Sequence, residues 1–351
     1  MGLPVISILF KEKGVSAIKR SGRGVVALII KDETVDFKTR VYRRLDEIDK
    51  DTFDEKNYDY LTKVFMGTPS KVIVEVLGAE EDLSVALTRL KTKRFNYMAM
   101  PDAEALDKTE IETFIKTSNE NDNKTFKAVL GNQASDNEAI TNFTTEDIVV
   151  GDKTYTAEEY TSRIVGILAG ISLDRSATYY SLDEVESVKA KEDADAAIDN
   201  GELILIDDGD KVKIGRAVTS LITTTTDKGE SFKKIKIVEG THLMKEDIKS
   251  TFEDNYVGKY INDYDNKVLF VTAVNAYFKE LEKAYILDRS YDNRIEIDLD
   301  AQRLFIEGKG ISTNDMEEQA IKEYNTGSTV FVEANVKFVD AMEDLKLNIF
   351  M

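Results

Sequence analysis

Two glycine patterns and one aspartate cluster are the places where this chain comes nearest to chemistry. Gly22-Arg23-Gly24-Val25-Val26-Ala27 matches by letters the GxGxxA fingerprint of a dinucleotide site. That chemistry needs a strand before the glycines and a helix after them, so that phosphate meets backbone N–H groups at the helix N-terminus. Here a basic stretch precedes and a β-branched run follows, so the order is inverted. Gly308-Lys309-Gly310 lacks the earlier glycine and the following Ser/Thr pair of a phosphate loop, and reads as a turn. Asp207-Asp208-Gly209-Asp210 offers carboxylates to calcium but lacks the alternate-position ligands and closing glutamate of an EF-hand loop. Between β-prone runs, its Asp-Gly pair reads as a hairpin turn.

Composition removes further chemistries. The 351 residues include no cysteine, which excludes thiol nucleophiles, disulfides and cysteine-ligated metals. The single histidine, His242 in Gly240-Thr241-His242-Leu243, follows a β-prone run and reads as a surface-loop residue. With 66 acidic residues, paired carboxylates occur everywhere by chance and single out no glycosidase dyad. Asn123-Lys124-Thr125 and Asn142-Phe143-Thr144 match the glycosylation sequon but need a secretory route, and no signal-peptide pattern opens the chain. The residues therefore point away from an enzyme, with no cofactor and no metal. A net charge of −19 opposes nucleic acid and anionic membranes, whose binding leans on Lys and Arg. No apolar run approaches the ~18 residues of a membrane span. Synthesis in the cytoplasm is expected.

The elements that would position any site are those of a mixed α/β chain. Val25–Ile30 reads as a fully buried strand, followed by strands over 72–77, 95–100 and 125–130 and helices over 81–90 and 108–117. Such alternation predicts a layer with parallel strands. Thr156 is placed to cap a helix over 157–170, and 201–206 with 212–214 form the hairpin around the aspartates. Phe232–Val238 alternates apolar and lysine residues and reads as a strand. A helix spans 267–285 with Val271, Val274, Phe278, Leu281 and Tyr285 on one stripe. Ile295–Leu299 is a half-buried strand, and Thr313–Tyr324 a short acidic helix. The organisation expected is an N-terminal strand arm and linker over 1–20, an α/β domain over 21–147, a second over 148–329, and a C-terminal strand arm over 330–351.

Both ends are β-prone: Val5, Ile6, Ser7, Ile8 and Leu9 at the start, Leu345, Leu347 and Ile349 at the close. An open strand edge templates pairing with another chain unless charge or proline blunts it. Either these strands complete their own monomer's sheet, or they are donated to neighbouring subunits.

The ordered set Gly2-Leu3-Pro4-Val5-Ile6-Ser7-Ile8, Arg20-Ser21-Gly22-Arg23-Gly24, Asn142–Asp147, Tyr160–Gly170, Gly201–Leu205, Arg216–Leu221 and Asp340-Ala341-Met342-Glu343-Asp344 resembles the tail sheath proteins of contractile phage tails. The likeness is to the compact form found in phage-tail-like bacteriocins and defective prophages of Gram-positive bacteria. The resemblance implies a structural subunit that stacks as hexameric rings around an inner tube and contracts to drive the tube through a bacterial envelope. It implies α/β domains joined through exchanged terminal strands, with partners in further copies of the chain, the inner tail tube protein, and baseplate and tail terminator proteins. It implies assembly into a virion or tail-like particle released by lysis. For the tube contact, the acidic helix Thr313–Tyr324 is nominated, with Asp315, Glu317, Glu318 and Glu323 on it. The competing reading is a soluble cytoplasmic α/β ligand-binding protein whose terminal strands pair within the monomer.

Overall fold

The run Val25–Ile30 carries no polar residue because the strand it forms is covered on both faces. In the computed structural model, which describes residues 18, 22–78 and 81–351, β1 (Val25–Lys31) is an interior strand of a seven-stranded sheet. Val26, Leu28 and Ile30 face one core, and Val25, Ala27 and Ile29 face the other. The chain continues through β2 (Thr39–Tyr42), α1 (Glu55–Met66), β3 (Lys71–Leu77), α2 (Leu83–Lys91), β4 (Tyr97–Ala99), α3 (Ala105–Asn121), β5 (Lys127–Gly131) and β6 (Ile140–Phe143). A small hairpin, β7 (Ile148–Val150) and β8 (Lys153–Tyr155), leads to α4 (Ala157–Gly170). After α5 (Ala194–Asp199), β9 (Glu202–Leu203) closes the sheet. The order is β2-β3-β1-β4-β5-β6-β9, and every pair is parallel except β2 with β3.

Helices α1 and α4 supply Tyr60, Leu61, Val64, Ile164 and Leu168 to the first core, while α2 and α3 supply Leu83, Leu87, Leu90, Ile111 and Ile115 to the second. α4 starts where expected because Thr156 and Glu159 form a reciprocal capping box. Its small residues bring two backbones together: a Cβ on Gly170 would lie 1.7 Å from the carbonyl oxygen of Gly67. The hairpin β10 (Leu205–Asp207) with β11 (Val212–Ile214) encloses the aspartate cluster, and Gly209 takes φ +92° in its turn. Asp208 there accepts from Lys213 Nζ at 2.6 Å and from the backbone N–H groups of Asp210 and Lys211.

One predicted strand is a helix. Phe232–Val238 divides between a 3₁₀ turn, Glu230–Lys233, and α6 (Ile235–Asn255). The alternation around Ile235 and Ile237 is too short to distinguish the two periods. Ile235, Val238, Glu239 and His242 fall at helical spacing, and the charge of Glu239 disguises that stripe.

The described chain forms two compact units. One holds the sheet and extends to Glu246, and includes Asp340–Met351; the other is Asp247–Val339. The sheet therefore does not end at 147, because β6 takes its outer partner, β9, from some sixty residues downstream. In the second unit α7 (Tyr264–Lys283) is followed by β12 (Arg294–Ile297), α8 (Leu299–Glu307), the short α9 (Glu318–Glu323) and β13 (Val332–Asn335). Val274, Phe278 and Leu281 of α7 are buried as expected, whereas Val271 is half-buried and Tyr285 lies beyond the helix, exposed, at φ +56°. Buried Lys267 is satisfied by Gln302 Oε1 at 2.9 Å and the Tyr324 carbonyl at 3.2 Å.

Candidate assembly surfaces

The stretch expected as a C-terminal arm, 330–351, divides into three parts. The first is bound within its own unit. β13 pairs antiparallel with β12, from Val332 opposite Ile297 to Asn335 opposite Arg294. Lys337 continues the attachment, accepting from Asp288 N at 2.8 Å and donating its own N–H to Asn293 Oδ1 at 2.9 Å. Residues 330–339 therefore belong to this unit. Glu333, Ala334 and Asn335 are exposed, and among the described residues β13 has no strand partner besides β12.

The second part, Asp340–Asp344, lies against the sheet unit through charge. Lys234 Nζ pairs with Asp340 and stands 3.7 Å from Glu343. Glu343 Oε1 accepts from Ser176 Oγ at 2.9 Å and Thr178 Oγ1 at 2.7 Å. Asp344 Oδ1 meets Arg216 Nη2 at 2.6 Å. Neither partner surface was found from sequence: opposite charges more than a hundred residues apart leave no local signal.

The third part is exposed and lies outside any assigned strand or helix. Leu345, Leu347, Ile349 and Phe350 keep 87%, 70%, 75% and 93% of their surface accessible. The other expected strand residues, Val5, Ile6, Ser7, Ile8 and Leu9, lie outside the described residues.

The nominated acidic helix is half its expected length. Only Glu318–Glu323 is helical, with Glu317 as its N-cap and Thr313–Met316 in a turn. Asp315, Glu317, Glu318 and Glu323 are nonetheless all exposed.

His242 is not on a loop. It sits within α6 beside a group of charges at the root of β1: Arg23 Nη2 meets Glu239 Oε2 at 2.7 Å, and Lys127 Nζ stands 3.1 Å from Glu239 Oε1 and 4.7 Å above the Tyr97 ring. Burial opposes the charge on Glu239, but Lys127 and Arg23 outweigh it and hold the carboxyl down at about 2. Burial, then Lys127, pushes His242 down to about 3. His242 is half-buried, and its Nδ1 is enclosed without a hydrogen-bond partner among the described residues.

A cleft of about 820 Å³ opens at the carboxyl ends of β1 and β3, where open parallel sheets commonly bind ligands. Its walls carry Asp32, Asp54, Glu81, Asp107 and Glu110, which repel phosphate. Asp32 is committed to the fold. Burial works against its charge, but hydrogen bonds from Thr34, Asp54 and Asn57 hold its pKa below the ordinary range. Among the described residues no cluster of three or more His, Asp or Glu is placed to hold a metal. Among them, too, no helix is long and apolar enough to cross a membrane.

Against known proteins, residues 79–220 match the phage tail sheath protein central domain and residues 227–351 the phage tail sheath C-terminal domain. The chain is 41% identical over 362 residues to the tail sheath protein of Clostridium phage phiCD119, covering 100% of this chain and 99% of that one. A crystal structure of a sheath tail protein from Desulfitobacterium hafniense superposes with a TM-score of 0.70 at 14% identity, over 84% of this chain and 94% of that chain. The contracted helical sheath of the anti-feeding prophage gives a TM-score of 0.70 at 11% identity, over 100% and 99%.

Proposed function

Because the chain belongs to the phage tail sheath protein family, and so is a structural subunit of a phage or prophage-like contractile tail, we propose that it polymerises as stacked hexameric rings around an inner tube and contracts to drive that tube through a bacterial envelope. The observation that carries this reading is the segment 345–351. Five large apolar side chains stand in solvent there, outside any strand, while β13 offers an exposed second edge. An apolar segment without a partner and a strand edge without a partner are the two halves of strand addition between copies. The N-terminal arm, Val5 to Leu9, is assigned the same role.

Work in such a lattice is stored in packing. One arrangement is kinetically trapped, and the other has more favourable contacts, so contraction proceeds without hydrolysis. The exchanged strands keep subunits linked while they move. Partners of this reading are the inner tube protein, met by Glu317 and Glu318, and the baseplate and terminator proteins at the two ends.

The test is electron microscopy of the purified chain, alone and with its tube protein, beside a form lacking 345–351. Striated sheaths or polysheaths from the full chain, absent from the truncated form at unchanged circular dichroism melting, support the proposal. Uniform small particles from the full chain at high concentration would overturn it.

A further inference from the structure

The segment Asp340–Asp344 is held in a way its composition does not require. Met342 is fully exposed, so apolar burial does not place the segment. Three carboxylates do, and the groups they meet are organised beforehand. Thr178 Oγ1 accepts from Ala217 N at 3.0 Å and Ser176 Oγ from Thr178 N at 3.1 Å, so both hydroxyls are oriented by backbone before Glu343 arrives. Lys236 lies close enough that Asp340 and Glu343 both act on it electrostatically. In a chain of net charge −19, this is a local concentration of positive charge facing an acidic peptide.

Accessibility then changes abruptly. The Glu343 side chain is 7% exposed, and Leu345, two residues on, is 87% exposed. The fastened part ends at Asp344, and the free part begins at the next residue.

We infer that Glu343 and Asp344, seated on Ser176, Thr178, Arg216 and Lys234, form a clamp that fixes where the C-terminal arm leaves the subunit. Tension applied to 345–351 reaches Asp344 and Glu343 before it reaches β13. The clamp transfers that load to the sheet unit and spares the four-residue ladder between β12 and β13. It also limits the volume the arm searches, which raises its effective concentration at a neighbour's edge. The pairs are partly exposed, so salt weakens the clamp. What the clamp does for assembly rests on the strand-exchange reading; the clamp itself does not.

Thermolysin cleavage before Leu347, read as loss of 347–351 by intact mass, reports release of the root. Arg216→Glu and Asp344→Arg should each speed cleavage several-fold, as should Lys234→Glu, with circular dichroism melting unchanged. The double variant R216E/D344R should return to the wild-type rate, which a merely structural role for either residue would not produce. A double variant as fast as the singles, or singles no faster than wild type, overturns the clamp. By microscopy the singles should lose ordered sheaths and the double regain them. Singles that are released yet assemble normally, while deletion of 345–351 abolishes sheaths, would overturn the positioning role and leave strand exchange standing. If the deletion itself assembles normally, strand exchange fails, and the clamp's role in assembly fails with it.

Discussion

Gly166 of α4 and Val64 of α1 are in such close backbone contact that a Cβ on Gly166 would lie 2.2 Å from the Val64 carbonyl oxygen. Gly67 and Gly170 continue the contact, with hypothetical Cβ atoms 2.0 Å from Gly166 C and 1.7 Å from Gly67 O. The atoms opposed are backbone, so no side chain can rotate away. Gly166→Ala should separate α1 from α4 and destabilise the sheet unit by at least the ~1–3 kcal/mol usual for overpacking. Urea unfolding measures it; an unchanged midpoint would mean that the helices can slide apart at little cost.

Phe278 is completely buried on α7. Phe278→Ala should cost about 3–5 kcal/mol, the usual range for a core phenylalanine. A variant that melts like wild type but no longer assembles would place this side chain at an interface.

Exposed Glu317 and Glu318 are the proposed tube contact. Reversing both to lysine should weaken co-assembly with the tube protein and leave polysheath formation intact, since surface substitutions seldom move stability beyond ~0.5 kcal/mol. Co-sedimentation decides, and undiminished tube binding would move the contact elsewhere.

Acid should unfold the sheet unit through α6. In the folded chain His242 titrates at about 3 against an ordinary 6.5, and Glu239 at about 2 against 4.5. In both cases the unfolded chain takes up a proton that the folded chain refuses, so stability is full above the ordinary value and falls as pH drops below it. The His242 contribution disappears from about pH 6.5 downward, and that of Glu239 joins it below about pH 4.5. His242→Gln should therefore flatten the loss of stability between pH 7.5 and pH 5. Equal slopes for variant and wild type in that window would assign the acid sensitivity to other groups.

The legible parts of the fold were those whose signal is local. β1 was readable because burial on both faces removes polar residues, and α4 because Thr156 and Glu159 mark its start three residues apart. α6 was misread because the residue on its inner face is Glu239, buried against Lys127 and Arg23, where a stripe should be apolar. The division at 147 failed for the related reason that β6 finds β9 across a long excursion. At the C-terminal end, the alternation of Leu345, Leu347 and Ile349 was visible in the sequence, and these side chains are exposed, outside any assigned strand. Its anchorage on Arg216, Lys234, Ser176 and Thr178 was not, since hydroxyls and cations scattered over fifty residues carry no period.

The sheet unit is interrupted in sequence: Arg216 and Lys234 precede residues 247–339, and their partners Asp340, Glu343 and Asp344 follow them. During translation the receiving notch is therefore finished while its ligand is still unmade. At ordinary elongation rates the intervening stretch occupies the ribosome for on the order of ten seconds. For that interval each nascent chain carries Arg216, Lys234, Ser176 and Thr178 without the carboxylates that they meet in the finished fold.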